Sequence, residues 1–280
     1  MAMQHPVDRT FISNGLKLHY LEWGSPNATP LILIHHMNSH AHTWDRFADS
    51  MSEQYRVLAL DMRGHGDSQW ADPGNYKTVD FASDVEALVN HLGVSRAIIL
   101  GGSVGGRVAL VYAGQHQEQT AALIVEDVGP VRTAESAASF PAMAKVADPE
   151  FNDVSEAIAY WKAHPGGHGD YRPDEAWEHI AQHSIKRKAN GKFTFKRDKA
   201  MFGDFETLAL WDHVESIKCP FLLILGDASS TVSEEHRDRM IQSIPDSTLV
   251  TVERAGHIVL HDKPQEYERA VRSFLKEHNL

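Results

Sequence analysis

Ile98-Ile99-Leu100-Gly101-Gly102-Ser103-Val104-Gly105-Gly106-Arg107-Val108 is the stretch that decides the architecture. A short apolar run passes through G-x-S-x-G directly into an apolar segment of helical length, which is the context of a nucleophile elbow. In so tight a turn, side chains two positions either side of the serine would collide with backbone, which accounts for Gly101 and Gly105. Ser103 is then expected in a strained conformation, its hydroxyl above a sheet and at a helix N-terminus, where the dipole supports a developing anion. The plain alternative is a glycine-rich turn in which Ser103 only caps the helix.

Outward from this stretch, short apolar runs alternate with helical segments. Leu31–Ile34, Val57–Leu60, Ala97–Leu100 and Leu123–Val125 read as strands buried on both faces, with helices at Thr43–Glu53, Val79–His91 and Val104–Gly114 between them. The alternation predicts a mostly parallel sheet covered by helices on both sides. Phe11–Trp23 alternates around Asn14-Gly15, a hairpin signal, and supplies antiparallel edge strands. The rhythm stops near Thr133 and resumes with strands at Phe221–Leu225 and Thr248–Val252, a helix near Ser233–Ile244, and a last helix opening at Pro264. The predicted organisation is a core of residues 1–132 and 212–280 with a helical insertion at 133–211. In that insertion Pro165–Pro173 reads as an interruption, Gly166-Gly167-His168-Gly169 as a hinge or surface loop, and Lys186, Arg187 and Lys188 as a solvated helix face. Its aromatic residues, Phe205 among them, are shared between packing and an apolar pocket wall.

The chain has 280 residues, 42% hydrophobic and 23% charged, enough to close a core without disulfides or a structural metal. Lys and Arg number 27 against 38 Asp and Glu, a net charge of −11 that repels nucleic acid and anionic membranes. Cys219 is the single cysteine, which fits a reducing compartment. Met1–Thr10 lacks the pattern of a secretory signal, and no apolar run approaches the roughly 18 residues of a membrane span, so a cytoplasmic protein is expected. Oligomeric state is not legible.

A serine needs a base, and Val252-Glu253-Arg254-Ala255-Gly256-His257 places an imidazole just after a strand, in a turn that returns it over the sheet edge. Read alone, His257 is one of 18 histidines; read with Ser103, it is the preferred base. Together with Asp61-Met62-Arg63-Gly64-His65-Gly66-Asp67-Ser68, a D-x-R-G-x-G-x-S stretch after an early strand, these motifs stand in the order found in the α/β-hydrolase superfamily, which the chain resembles from about Phe11 to Phe274. The resemblance implies an eight-stranded, mostly parallel sheet with the insertion as a cap over the active site. It implies no cofactor and a small-molecule, ester-like substrate.

In most members the triad acid follows the strand after the cap. Here that loop reads Leu225-Gly226-Asp227-Ala228-Ser229-Ser230, with Ser229 at the expected position. Leu123-Ile124-Val125-Glu126-Asp127-Val128-Gly129-Pro130 resembles instead a group of small esterases whose acid lies after the strand following the nucleophile helix and whose later loop reads Gly-x-x-Ser. That double match favours Asp127 over Asp227. Asp127 could also merely cap a turn, and Glu126 is disfavoured because it should point to the opposite sheet face.

The oxyanion donors implied by the resemblance are the backbone N–H groups of Val104 and Met37. Members usually carry His-Gly after the first parallel strand; this chain has His35-His36-Met37-Asn38. His36, a tentative pocket residue, could narrow the pocket, donate to substrate or simply pack, and packing is favoured. His35, His36, His40 and His42 raise a metal site, but no carboxylate or cysteine pattern accompanies them, so none is expected. The reading is a serine hydrolase of carboxylic esters, thioesters or lactones working through an acyl-enzyme. Rival readings are C–C bond hydrolysis, lyase or cofactor-free oxygenase chemistry on the same scaffold, and a non-catalytic ligand-binding protein.

Overall fold

A computed structural model describes residues 5–132, 134–164, 173–204, 206 and 208–280. The Gly166-Gly167-His168-Gly169 segment, most of Pro165–Pro173, Thr133 and Phe205 lie outside the described residues. Among the described residues, ten strands are β1 (Val7–Ser13), β2 (Leu16–Trp23), β3 (Thr29–Ile34), β4 (Tyr55–Leu60), β5 (Ala97–Gly102), β6 (Thr120–Glu126), β7 (Ile185–Arg187), β8 (Phe193–Phe195), β9 (Phe221–Gly226) and β10 (Ser247–Val252). Eight of them form one sheet in the order β1-β2-β4-β3-β5-β6-β9-β10. β2 is antiparallel to both neighbours, β1 and β4, and the remaining pairs are parallel.

The period of two along each strand builds two cores. Ile99, Leu123, Val125 and Leu223 face one side, where helices Thr78–Leu92 and Val104–Gln115 pack with Val85, Leu88, Val108 and Tyr112. Ile98, Leu100, Ile124 and Leu222 face the other, against Phe47 of the helix Asp45–Met51 and Tyr267 and Phe274 of the helix Pro264–Glu277. Asn14 and Gly15, at φ 47° and 82°, turn β1 into β2 in the left-handed conformation that this pair adopts at least cost. All parallel strands end on one edge, and the loops there carry the candidate site.

Between β6 and β9 the chain leaves the sheet. Helices Ala134–Lys145, Val154–Ala163 and Asp174–Ser184 agree with the helical expectation, but β7 and β8 form an antiparallel pair that it missed. Lys186 and Arg187 are exposed as expected, yet on a strand rather than a helix. The pair is held by Phe151, whose backbone bridges Phe193 and whose ring lies on Phe195.

The D-x-R-G-x-G-x-S stretch is a brace. The buried Asp61 carboxylate accepts the Ala41 and Asp67 N–H groups at 2.6 and 2.9 Å, and Arg63 clasps Asp84 at 2.7 and 2.8 Å. Gly66 sits at φ 52° where a Cβ would stand 2.2 Å from the Asp61 carboxylate, so glycine is required. These bonds tie the loops after β3 and β4 together along the site-bearing edge.

Candidate active site

Ser103 sits between β5 and the helix Val104–Gln115 at φ 53°, ψ −117°, a conformation that a side-chain-bearing residue adopts only when its surroundings enforce it. They do: a Cβ on Gly101 would lie 2.2 Å from the Gly105 carbonyl oxygen, and one on Gly105 would lie 2.3 Å from that of Ile34. Gly105→Ala is therefore expected to cost about 3 kcal/mol or more, the upper end of overpacking penalties, because the obstacle is backbone. A urea midpoint equal to that of the parent protein would show that the elbow has slack.

The Ser103 hydroxyl lies 2.8 Å from His257 Nε2, and Nδ1 of the same ring lies 2.7 Å from Asp127 Oδ2. The three residues come from the ends of β5, β6 and β10, strands brought together by the parallel topology. His257 is partly exposed, whereas Asp127 is 1% exposed. Asp127 follows β6 at φ 46°, and this left-handed step takes its side chain out of the strand's alternation. Its Oδ2 also accepts the Ser229 hydroxyl, and its Oδ1 accepts the Gly226 N–H at 3.3 Å. The Thr231 hydroxyl oxygen lies 3.1 Å from His257 Nδ1. The loop after β9 thus contributes Ser229 and Thr231 as supports of Asp127 and His257. Gly-x-x-Ser was the visible signal for the first; the role of Thr231 had none.

Asp227, the competing acid, is exposed and braces the turn before His257 by accepting the Ala255 N–H at 3.2 Å. Glu126 points to the opposite face, as its strand position requires. It is fully buried and accepts the Leu260 N–H at 2.8 Å, while Asp262 accepts the Gly256 N–H at 2.8 Å. Two carboxylates therefore hold the segment carrying His257. On the other side, the Arg107 guanidinium, 1% exposed, donates to the carbonyls of Gly129, Pro130 and Leu208. Burial among carbonyls without a carboxylate partner brings its pKa down to about 10 and fixes the loop after Asp127.

Val104 opens its helix, so its N–H has no intrahelical acceptor. Met37 lies in the loop after β3, which abuts the elbow at Gly105. Next to it, His36 lies edge-on to His257, with ring centroids 6.3 Å apart. Its ring is buried, 4% exposed, stacked on Trp44 and 3.1 Å from Glu126 Oε2, an ion-pair distance without hydrogen-bond alignment. The cause is Gly102: a Cβ there would lie 2.4 Å from His36 Cε1, so the imidazole fills the space a side chain would occupy.

A hydroxyl, an imidazole and a carboxylate in line at a helix N-terminus can pass a proton and present an oxygen nucleophile. The sequence profile of the alpha/beta hydrolase fold matches residues 29–264. The chain belongs to this family. An esterase of Mycobacterium tuberculosis is 27% identical over 265 residues, 91% of this chain and 85% of that protein. The esterase YbfF of Escherichia coli is 22% identical over 253 residues, 90% and 94% of the two chains. A crystal structure of an alpha/beta hydrolase from Novosphingobium aromaticivorans superposes with a TM-score of 0.85 at 25% identity, covering 98% of this chain and 99% of that one. An α/β-hydrolase enzyme is thus what fold and relatives agree on. Among the described residues of this family member, no helix is long and apolar enough to cross a membrane.

Proposed function

We propose that this α/β-hydrolase cleaves carboxylic ester bonds, thioesters and lactones included, of a small apolar substrate through an acyl-enzyme. Ser103 attacks the carbonyl carbon while His257 Nε2 takes its proton. The N–H groups of Val104 and Met37 hold the oxyanion, and Asp127 orients the imidazole and stabilises its cation. Collapse of the tetrahedral intermediate breaks the C–O bond of an ester, or the C–S bond of a thioester, and His257 returns the proton to the leaving atom. Water then attacks the acyl-serine by the same relay run in reverse. In this reading the insertion between β6 and β9 is the cap over the site. The protein works in the cytoplasm.

The observation that carries the proposal is the unbroken Ser103–His257–Asp127 contact chain at 2.8 and 2.7 Å. The esterase names of two full-length relatives support the substrate class. The rival superfamily chemistries drew on a displaced acid and an altered His35-His36 loop. Both motives lose weight where Asp127 meets His257 and His36 is buried against Glu126 and Trp44. A fluorophosphonate probe is expected to label Ser103 in the folded protein, and Ser103→Ala to abolish both labelling and turnover of p-nitrophenyl esters. Absence of labelling, with an aromatic ketone or carbon acid consumed instead, would decide for the rival chemistry.

A further inference from the structure

Four histidines near the start of the chain suggested a metal site and lacked a carboxylate. The fold divides them. His35 and His36 turn into the core, and His40, buried, reaches Ser184 at 3.2 Å with its ring 6.3 Å from that of His42. His42 is only partly buried, with Nδ1 at 3.2 and 3.0 Å from the two oxygens of Asp45. The missing carboxylate was three residues further on. Onto this pair the helix Asp174–Ser184 brings His179 and His183, one turn apart on the same face. The His183 ring stacks on His42 with centroids 3.8 Å apart, and the His179 ring is 4.8 Å from that of His183. His179 Nε2 is 3.4 Å from Asp45 Oδ2.

We propose that His42, Asp45 and His183, with His179 as fourth ligand, form a binding site for a divalent transition metal of the zinc class, which clamps the insertion to the loop after β3. One ligand atom from each of His42, Asp45 and His183 already lies within 4.8 Å of the others. Ligands at about 2.0–2.2 Å from a tetrahedral zinc stand roughly 3.4 Å from one another, so closure needs movements of about an ångström. The side chains have room for them: His42, Asp45 and His179 are 21%, 16% and 34% exposed. Asp45 and His179 also line a groove of about 810 Å³, which gives the ion a path in. His179 Nε2 now donates to the His42 carbonyl at 2.7 Å and exchanges that bond for the metal. A histidine pair at i and i+4 on a helix is a preformed half-site. Three imidazoles and one carboxylate select Zn²⁺, Co²⁺, Ni²⁺ or Cu²⁺ over Mg²⁺ and Ca²⁺, which prefer all-oxygen shells. None of this depends on ester hydrolysis, and binding can be measured without turnover.

Calorimetric titration of chelator-treated protein with ZnSO₄ is expected to give one site of micromolar or tighter affinity. A hundredfold excess of Zn²⁺ over its Kd should raise Tm by roughly 5 °C, while Mg²⁺ and Ca²⁺ leave it unmoved. His42→Ala/His183→Ala should weaken binding by roughly 100-fold or more, and the gentler His183→Gln should do so by at least about tenfold. The control His116→Ala/His278→Ala, which removes histidines far from the cluster, should bind as the parent does. Parent affinity weaker than about 100 µM overturns the proposal, as does tight binding that survives in both cluster variants or is lost equally in the control.

Discussion

Asp127→Asn is expected to fold normally and to lose about 10⁴-fold in turnover of whatever ester the parent protein hydrolyses. The fold survives because asparagine is among the residues most tolerant of the left-handed backbone, and Asp127 sits at φ 46°. Its side-chain oxygen, at the Oδ1 position, can still accept the Gly226 N–H, while the Ser229 hydroxyl, which in the parent donates to Oδ2, can rotate to accept from the amide instead. Chemistry suffers through the tautomer. An Asn amide facing His257 through its NH₂ donates to Nδ1, which moves the ring proton to Nε2, the atom 2.8 Å from the Ser103 hydroxyl that must be free to accept. A carboxylate would also no longer balance the imidazolium that forms on attack. Steady-state kinetics beside a thermal melt test the two halves separately: an unchanged melt with collapsed turnover is the expected pair. Near-full activity in Asp127→Asn together with an inactive Asp227→Asn would reassign the acid.

How Asp127 came to be readable shows where sequence carries information about a site. Strand runs such as Leu31–Ile34 and Phe221–Leu225 were legible because burial on both faces forces unbroken apolar residues. The Asn14-Gly15 hairpin and the elbow were legible because positive φ or close backbone approach restricts the residue type. Asp127 was singled out only through two loops taken together, an Asp after β6 and a serine after β9 where the family resemblance leads one to expect an acid. Their contact is a product of parallel pairing between β6 and β9 that neither loop encodes. The same distinction explains the failures. β7 and β8 are three residues each, too short for a period to emerge from Lys186 and Arg187, and they owe their pairing to Phe151 more than thirty residues earlier. The fates of His36 and His42 depend on Glu126 and on His183, partners that only tertiary structure supplies.

Lowering the pH from 7 to 5 should destabilise the protein by roughly 2 kcal/mol for each of two buried histidines, before any carboxylate titrates. His35 and His65 are fully buried, with ring centroids 4.8 Å apart. Each donates from Nδ1 to a carbonyl, His35 to His36 at 2.7 Å and His65 to Arg63 at 3.0 Å. Each accepts a backbone N–H at Nε2, from Met62 at 3.1 Å and from Asn38 at 3.3 Å. An imidazolium has no lone pair left to accept with, so protonation breaks the second bond in both rings and sets two cations side by side in the core. Burial accordingly pushes His35 down to about 4 and His65 well below its ordinary value. The unfolded chain, with both groups near 6.5, binds protons that the native state refuses, so stability is fully present above that value and falls as pH drops toward 4. His19 runs the other way: although burial opposes its charge, the Asp61 carboxylate raises it, and its contribution is already complete below 6.5 and does not mask the loss. Urea titrations at pH 7, 6 and 5 measure the slope directly, and His65→Gln, which keeps a donor and an acceptor without a titrating ring, should flatten it. A stability equal at pH 7 and pH 5 would mean that both rings carry their protons in the native core, and the loops they hold, including the one bearing Met37, would have to be arranged differently.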